Sequence, residues 1–184
     1  MARIITLAFE HDPLWSRALH RADGSIVHHA HFWRLFVDGA LRYPWSWIAG
    51  DGQATSVWIP PNGTELSERQ EQRLEELIEV YIPDGADDFR ELLARFEAAH
   101  PRTEPHYYLS LLGTHPSHRG HGLGMRLLAH DLELIDTEHM PAYLESSNPD
   151  NNRRYESVGF EQIGTFSFPR SGTSVTTMWR SSRQ

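Results

Sequence analysis

Arg119-Gly120-His121-Gly122-Leu123-Gly124 places three alternating glycines behind an arginine, just ahead of a stretch with helical periodicity. The first turn of a helix leaves about four backbone N–H groups unpaired and carries the positive end of the helix dipole. Glycines let an anion approach those N–H groups with no Cβ in the way. The chemistry on offer is the holding of a phosphate or pyrophosphate. Two other readings compete. One is a tight turn whose small residues serve packing alone. The other is a dinucleotide-binding turn, with Glu145, about 20 residues on, against the ribose. The spacing here is G-x-G-x-G after an arginine, not G-x-G-x-x-G, and no second strand–helix–strand unit follows.

The elements around the turn have to position it. Tyr107–Thr114 is an apolar, β-favouring run, and His115-Pro116-Ser117-His118 is a turn. A long helix then opens within Arg119–Gly124, with Leu127, Leu128, Leu132 and Ile135 as its buried stripe. Ala142–Ser147 reads as the next strand, Asn151–Val158 as a short helix, and Phe160–Phe168 with Ser174–Trp179 as a closing pair of strands. Strand, glycine turn, helix and strand make one βαβ unit, with a right-handed crossover expected.

Upstream, Ile4–Phe9 reads as a strand, and Asp12-Pro13 as an N-cap followed by Pro at the first helical position. Phe32, Leu35 and Phe36 place a helix near His28–Arg42. Trp45–Ala49 and Ser56–Ile59 read as strands divided by Gly50-Asp51-Gly52, and Pro60-Pro61-Asn62-Gly63 ends the second. Ser67 with Gln70 suggests a capping box, followed by Leu74, Leu77 and Ile78 on one face. Pro83-Asp84-Gly85 breaks that helix, and Phe89, Leu92, Leu93 and Phe96 mark another. Both are expected to form a packed layer.

Composition excludes several chemistries. The 184 residues contain no Cys, which removes disulfides, Cys-ligated zinc and a cysteine acyl-enzyme. They also contain no Lys, so a Walker phosphate loop and a pyridoxal phosphate Schiff base are excluded. The net charge of −8 argues against a nucleic-acid partner and favours the approach of a cationic substrate, though it also serves solubility. No run of about 18 apolar residues is present, and the opening lacks a signal-peptide apolar stretch. The expectation is a cytoplasmic chain without a membrane partner. Among the twelve His residues, His28, His29 and His31 invite a metal. No carboxylate stands at clear ligand spacing beside them, so no metal is expected.

With its surroundings, the glycine turn resembles the coenzyme A pyrophosphate loop of the GNAT superfamily of N-acetyltransferases, which reads Arg/Gln-x-x-Gly-x-Gly/Ala. Ser56-Val57-Trp58-Ile59-Pro60-Pro61, Leu112-Gly113-Thr114-His115-Pro116, Leu144-Glu145-Ser146-Ser147 and Tyr155-Glu156-Ser157-Val158-Gly159-Phe160 are similar to the puromycin N-acetyltransferase branch. Phe9 through Trp15 fits its opening. The similarity is dense from about Tyr107 to Phe160. It implies one α/β (α+β) domain over residues 1–184, with a mixed sheet splayed between two parallel strands and flanked by helices. The acetyl-CoA-binding core would lie at about residues 105–165.

The resemblance also implies roles. Leu112, Gly113 and Thr114 would pair with the pantetheine arm, with Gly113 fitting a bulge that frees the backbone. Arg119, Gly120, His121, Gly122, Leu123 and Gly124 would take the pyrophosphate. Asn151 would contact the cofactor's amide region; it could equally N-cap its own short helix. Tyr155 would protonate the departing thiolate. Many family members carry a Glu six residues before the position of Thr114; here that residue is Tyr108. His106 and Ser110 share its face by strand alternation. His106 is the first candidate base, Glu145 the second, and a water chain the third. The implied reaction is direct acetyl transfer in a ternary complex to a primary amine, expected to be a small molecule. A non-catalytic acyl-CoA sensor and a nucleotide-binding oxidoreductase remain as alternatives, and the chain could be a monomer or a homodimer.

Overall fold

The computed structural model describes residues 1–183. Its seven α-helices are α1 (Ala2–Phe9), α2 (Trp15–Ala18), α3 (His29–Ala40), α4 (Glu68–Tyr81), α5 (Ala86–Ala99), α6 (Leu123–Thr137) and α7 (Asn152–Glu156). Its six strands are β1 (Ser46–Ala49), β2 (Ala54–Ile59), β3 (Tyr107–Thr114), β4 (Ala142–Ser146), β5 (Glu161–Ser167) and β6 (Ser174–Arg180). They form one sheet in the order β1-β2-β3-β4-β6-β5. β3 and β4 are parallel, and the other neighbours are antiparallel. A parallel pair needs a long connection, and α6 supplies it.

Each face of the sheet has its own core. Leu128, Leu132 and Ile135 of α6 pack with Trp58, Leu109, Leu144 and Met178 on one side. On the other, Ile5, Phe32, Val37, Ile78, Phe89 and Leu92 from α1, α3, α4 and α5 meet Val57 and Leu111. The middle helices are thus the packed layer that their periodicity predicts. Gln70 Oε1 accepts from the Ser67 backbone N–H at 3.0 Å and from its hydroxyl at 2.8 Å, closing the start of α4.

Two features of β3 open the sheet. Its parallel register with β4 runs only from Tyr107–Ala142 to Leu109–Leu144, and the strands part beyond it. Against β2 the register jumps, Val57 facing Leu111 and Trp58 facing Leu109, so Ser110 is the extra residue. The bulge is therefore at Ser110, not at Gly113, which pairs in register with Thr55. A bulge reverses the alternation beyond it. Tyr108 and Leu111 consequently face the α1 side, while Leu109 and Leu112 face α6. Gly113 has another purpose, because a Cβ there would come within 2.9 Å of Ile5 Cδ1 and 3.0 Å of Ala8 Cβ. It lets α1 lie on the strand.

Ile4–Phe9 is helix rather than strand. A six-residue apolar run suits either period, and burial decides here. Ile4 and Ile5 are buried, Ala8 and Phe9 partly so, and the four share one helical face. That face closes over β3, and Phe9 meets Trp33 edge-on at 5.0 Å. The helix after Asp12-Pro13 opens later than expected, at Trp15 with Leu14 as its N-cap, and Asp12 Oδ1 accepts from the backbone N–H of Leu14 at 2.9 Å and of Trp15 at 3.1 Å just ahead of it.

His28 and His29 are buried, and the Nδ1 of each lacks a hydrogen-bond partner. Burial, aided by the neighbouring His28, lowers His29 from its ordinary 6.5 to about 4. A depressed folded pKa makes the unfolded chain the better proton binder between those values. The contribution of His29 to stability is therefore complete above about pH 6.5 and falls as pH drops towards 4. Urea titrations of the wild type and of a His29→Phe variant across that window should differ by this decline, because the raised carboxyl of Glu65 is common to both. An unchanged slope in the variant would refute the assignment.

Candidate active site

The parting of β3 from β4 leaves a cleft of about 500 Å³ between the end of β3, the start of α6 and α7. Leu112, Gly113, Thr114, Arg119, Gly120, Gly122, Leu123, Gly124, Asn151 and Tyr155 all line it. Past Leu109 the β4-facing edge of β3 has lost its strand partner, so its peptide groups are free to pair with an extended ligand, as in strand addition.

Glycine geometry shapes the far end. Gly120 and Gly122 adopt φ of +83° and +69°, which side chains other than glycine seldom hold. Gly124 has a different reason: a Cβ there would stand 2.6 Å from Thr114 Oγ1. The first turn of α6 can therefore lie directly on β3, its unpaired N–H groups at the cleft. Arg119 Nη2 donates to Ala8 O at 2.7 Å, so the arginine ties the turn to the end of α1. His121 stands apart from these residues. It is exposed and outside the cleft wall, its ring near His118 O at 3.4 Å, and His118 lines the cleft instead. This donor set fits the diphosphate and pantetheine parts of acetyl-CoA.

A second cavity of about 850 Å³ opens on the α1 side of the sheet. Phe9, Asp12, Leu112, Asn151 and Tyr155 line both spaces, so they mark the passage between them. The walls of the second are aromatic, from Trp15, Trp33, Phe36 and Phe96. Its floor carries Glu65, His100, His106, Tyr108 and Glu145.

Titration in this region follows from burial. Tyr155, beside Phe160 at 6.3 Å, is pushed up to about 12 by burial first and then by the Asp12 carboxylate, with Arg154 opposing. Asp12 itself is raised by burial, against the hydrogen bonds from Trp15, Ser147 and Leu14. Tyr108 and Tyr143 are held far above the ordinary phenol value by burial and by Glu145 next to them. Glu65 is raised to about 7 by burial, with the hydrogen bond from Ser110 opposing and Glu145 adding to the rise.

The candidate bases are disposed unequally. His106 is lowered by burial, and both ring nitrogens are engaged, Nδ1 with Glu104 O at 2.7 Å and Nε2 with His100 Nε2 at 3.1 Å. Glu145 is buried beside His100 at 3.8 Å rather than beside an arginine. Asn151 does not cap α7 through its side chain; its Oδ1 accepts from Arg154 at 2.9 Å. Sequence reasoning missed Glu65, which lies in the loop between β2 and α4, and gave Asp12 only its capping role. Glu65 carries no periodic or motif signal, and the Asp12-Pro13 signal is one of local structure alone. Among the described residues, no group of three or more His, Asp or Glu could hold a metal ion, and no helix is long and apolar enough to cross a membrane.

The model of the acetyltransferase (GNAT) family matches residues 58–160. An acetyltransferase from Agrobacterium fabrum is 39% identical over 70 residues, which cover 38% of this chain and 51% of the relative. The match thus spans about half the length of that curated relative. Among solved structures, a histone acetyltransferase HPA2 and related acetyltransferase from Corynebacterium glutamicum superposes with a TM-score of 0.68 at 20% identity, over 100% of this chain and 90% of the other. Arylalkylamine N-acetyltransferase 2 from Aedes aegypti does so with a TM-score of 0.66 at 15% identity, over 99% and 94%. At such identities the likeness is one of fold.

Proposed function

The chain belongs to the acetyltransferase (GNAT) family, and on that premise we propose that it transfers the acetyl group of acetyl-CoA to a primary amine of a small molecule. The observation that carries the reading is the passage at Phe9, Asp12, Leu112, Asn151 and Tyr155, where two cavities meet. One holds the glycine turn and the free strand edge; the other is aromatic and acidic, as an organic ammonium ion requires. The arylalkylamine enzyme with the same fold agrees with such an acceptor. So does the net charge of −8, which steers cations inward.

In this mechanism the amine nitrogen enters from the aromatic cavity and attacks the thioester carbonyl, forming the C–N bond. Backbone N–H groups near Leu112 polarise the carbonyl oxygen. The C–S bond then breaks, and the Tyr155 hydroxyl gives its proton to the departing thiolate. The proton shed by the new amide nitrogen restores the phenol through solvent. Burial that lifts Tyr155 to about 12 also raises a thiolate lodged against it, since both anions lose the same hydration. The chain lacks Cys, in agreement with direct transfer rather than a thiol-bound intermediate.

The first test is a thermal-shift titration with acetyl-CoA, free coenzyme A and NAD. Both coenzyme A forms should stabilise the fold, by about 2.7 kcal/mol at a hundredfold excess over Kd, and NAD should not. Thiol release with a panel of amines then reads transfer. Failure of both coenzyme A forms to bind would remove the reading.

A further inference from the structure

We infer that Glu65 is the general base that takes the proton from the acceptor's ammonium group, with Ser110 at the β3 bulge positioning its carboxylate. The inference deepens the transfer reading and rests on it.

The placement of Glu65 is constructed from several sides. Ser110, the extra residue of the bulge, donates its hydroxyl to Glu65 Oε1. It stands two residues before Leu112, which lines the passage between the cavities. The loop that carries Glu65 is clamped to the end of α3 and to the turn that follows it. Arg42 Nη2 donates to Thr64 O at 2.5 Å, and the Thr64 N–H donates to the Tyr43 hydroxyl at 3.0 Å. Gly39 in α3 admits the Glu65 carbonyl, since a Cβ there would lie 2.2 Å from it. A carboxylate fixed this closely, facing a cavity and paired with no arginine or lysine, is costly for folding and suited to receiving a proton.

Chemistry agrees with geometry. An alkylammonium ion has a pKa of about 10.4 in water and no lone pair until it loses a proton. A carboxyl at about 7 is a far better acceptor for that proton than an ordinary one, and it is still ionised for a large fraction of the time at neutral pH. The groups that act on it are Glu145 from β4, Glu97 from α5 and His100 just beyond α5. The two glutamates raise Glu65 and His100 lowers it. Tyr108, at the position where the family resemblance would put a Glu, is held as a neutral phenol and leaves the role open. The proton passes from nitrogen to Glu65 and then to solvent, before the C–N bond forms.

The test is Glu65→Gln, assayed with 2-phenylethylamine, tryptamine and spermidine across pH. The wild type should show kcat/KM rising through a limb near pH 7. The variant should lose about 10²-fold or more in turnover at pH 7. Its residual rate should rise with pH as free amine is supplied, without that limb. Acetyl-CoA should still raise the variant's melting temperature as in the wild type, because Glu65 is outside the cofactor cleft; this separates loss of the base from loss of the fold. Glu145→Gln is the second variant. Removing a charge that raises Glu65 should shift the limb to lower pH. Turnover by Glu65→Gln within threefold of wild type, or a limb that Glu145→Gln does not move, would overturn the inference. A wild type that binds acetyl-CoA yet acetylates none of the three amines would overturn the transfer reading itself, and this inference with it, before any variant is made.

Discussion

Tyr155→Phe is expected to lower kcat by about 10²-fold or more, with little change in the affinity for acetyl-CoA. The substitution removes one oxygen and keeps the ring against Phe160, so packing is retained. What disappears is the one hydroxyl group among the side chains that line both cavities. If the thiolate must leave without a proton donor, the loss appears in kcat and kcat/KM together, the mark of an interaction made in the transition state. Binding of acetyl-CoA, read by thermal shift, should stay within a few-fold of wild type. A variant with normal kcat would remove Tyr155 from the chemistry and leave it as a wall of the cleft.

The pH profile gives the same residue a second check. With the phenol lifted to about 12, Tyr155 remains protonated throughout the usual assay range. No falling limb near 10, the ordinary phenol value, should therefore appear on the alkaline side. The acid side is governed by whichever group accepts the ammonium proton. A profile that rises near pH 7 and then stays level would fit both Glu65 and Tyr155 in their environments.

What the sequence discloses about this site follows from how local each signal is. The glycine turn is legible because backbone conformation at Gly120 and Gly122 and close approach at Gly124 both demand glycine within a few residues. Tyr107–Thr114 is legible because an eight-residue strand that runs through the sheet shows continuous β-favouring sequence. The bulge at Ser110 is not legible, since it arises from the register with β2, some 50 residues away in the chain. Strand alternation alone puts Tyr108 and Leu112 on one face; the bulge sends them to opposite ones. Glu65 is hidden for a similar reason. Its loop has no period, and its environment is assembled from α3, β3 and β4. The short run at Ile4–Phe9 suited either period, and only its packing over Gly113 selects the helix.

Gly124→Ala is expected to weaken coenzyme A binding by roughly 5- to 150-fold, corresponding to about 1–3 kcal/mol of overpacking. The new Cβ would stand 2.6 Å from Thr114 Oγ1, so either the Thr114 side chain turns about χ1 or strand and helix separate locally. Beyond the first turn, α6 is anchored by Leu128, Leu132 and Ile135 in the core. Where the N-terminal turn lifts, the N–H groups that would meet the diphosphate move with it. The strain should therefore appear in affinity more than in the melting temperature of the ligand-free protein. Pairing the change with Thr114→Ala removes the obstructing oxygen and should restore most of the binding, a coupling that a double-mutant cycle reads directly. Calorimetry with free coenzyme A on the four proteins measures it. Additive losses would mean that the Cβ obstructs the ligand rather than the strand, and Gly124 would then be a contact residue in its own right.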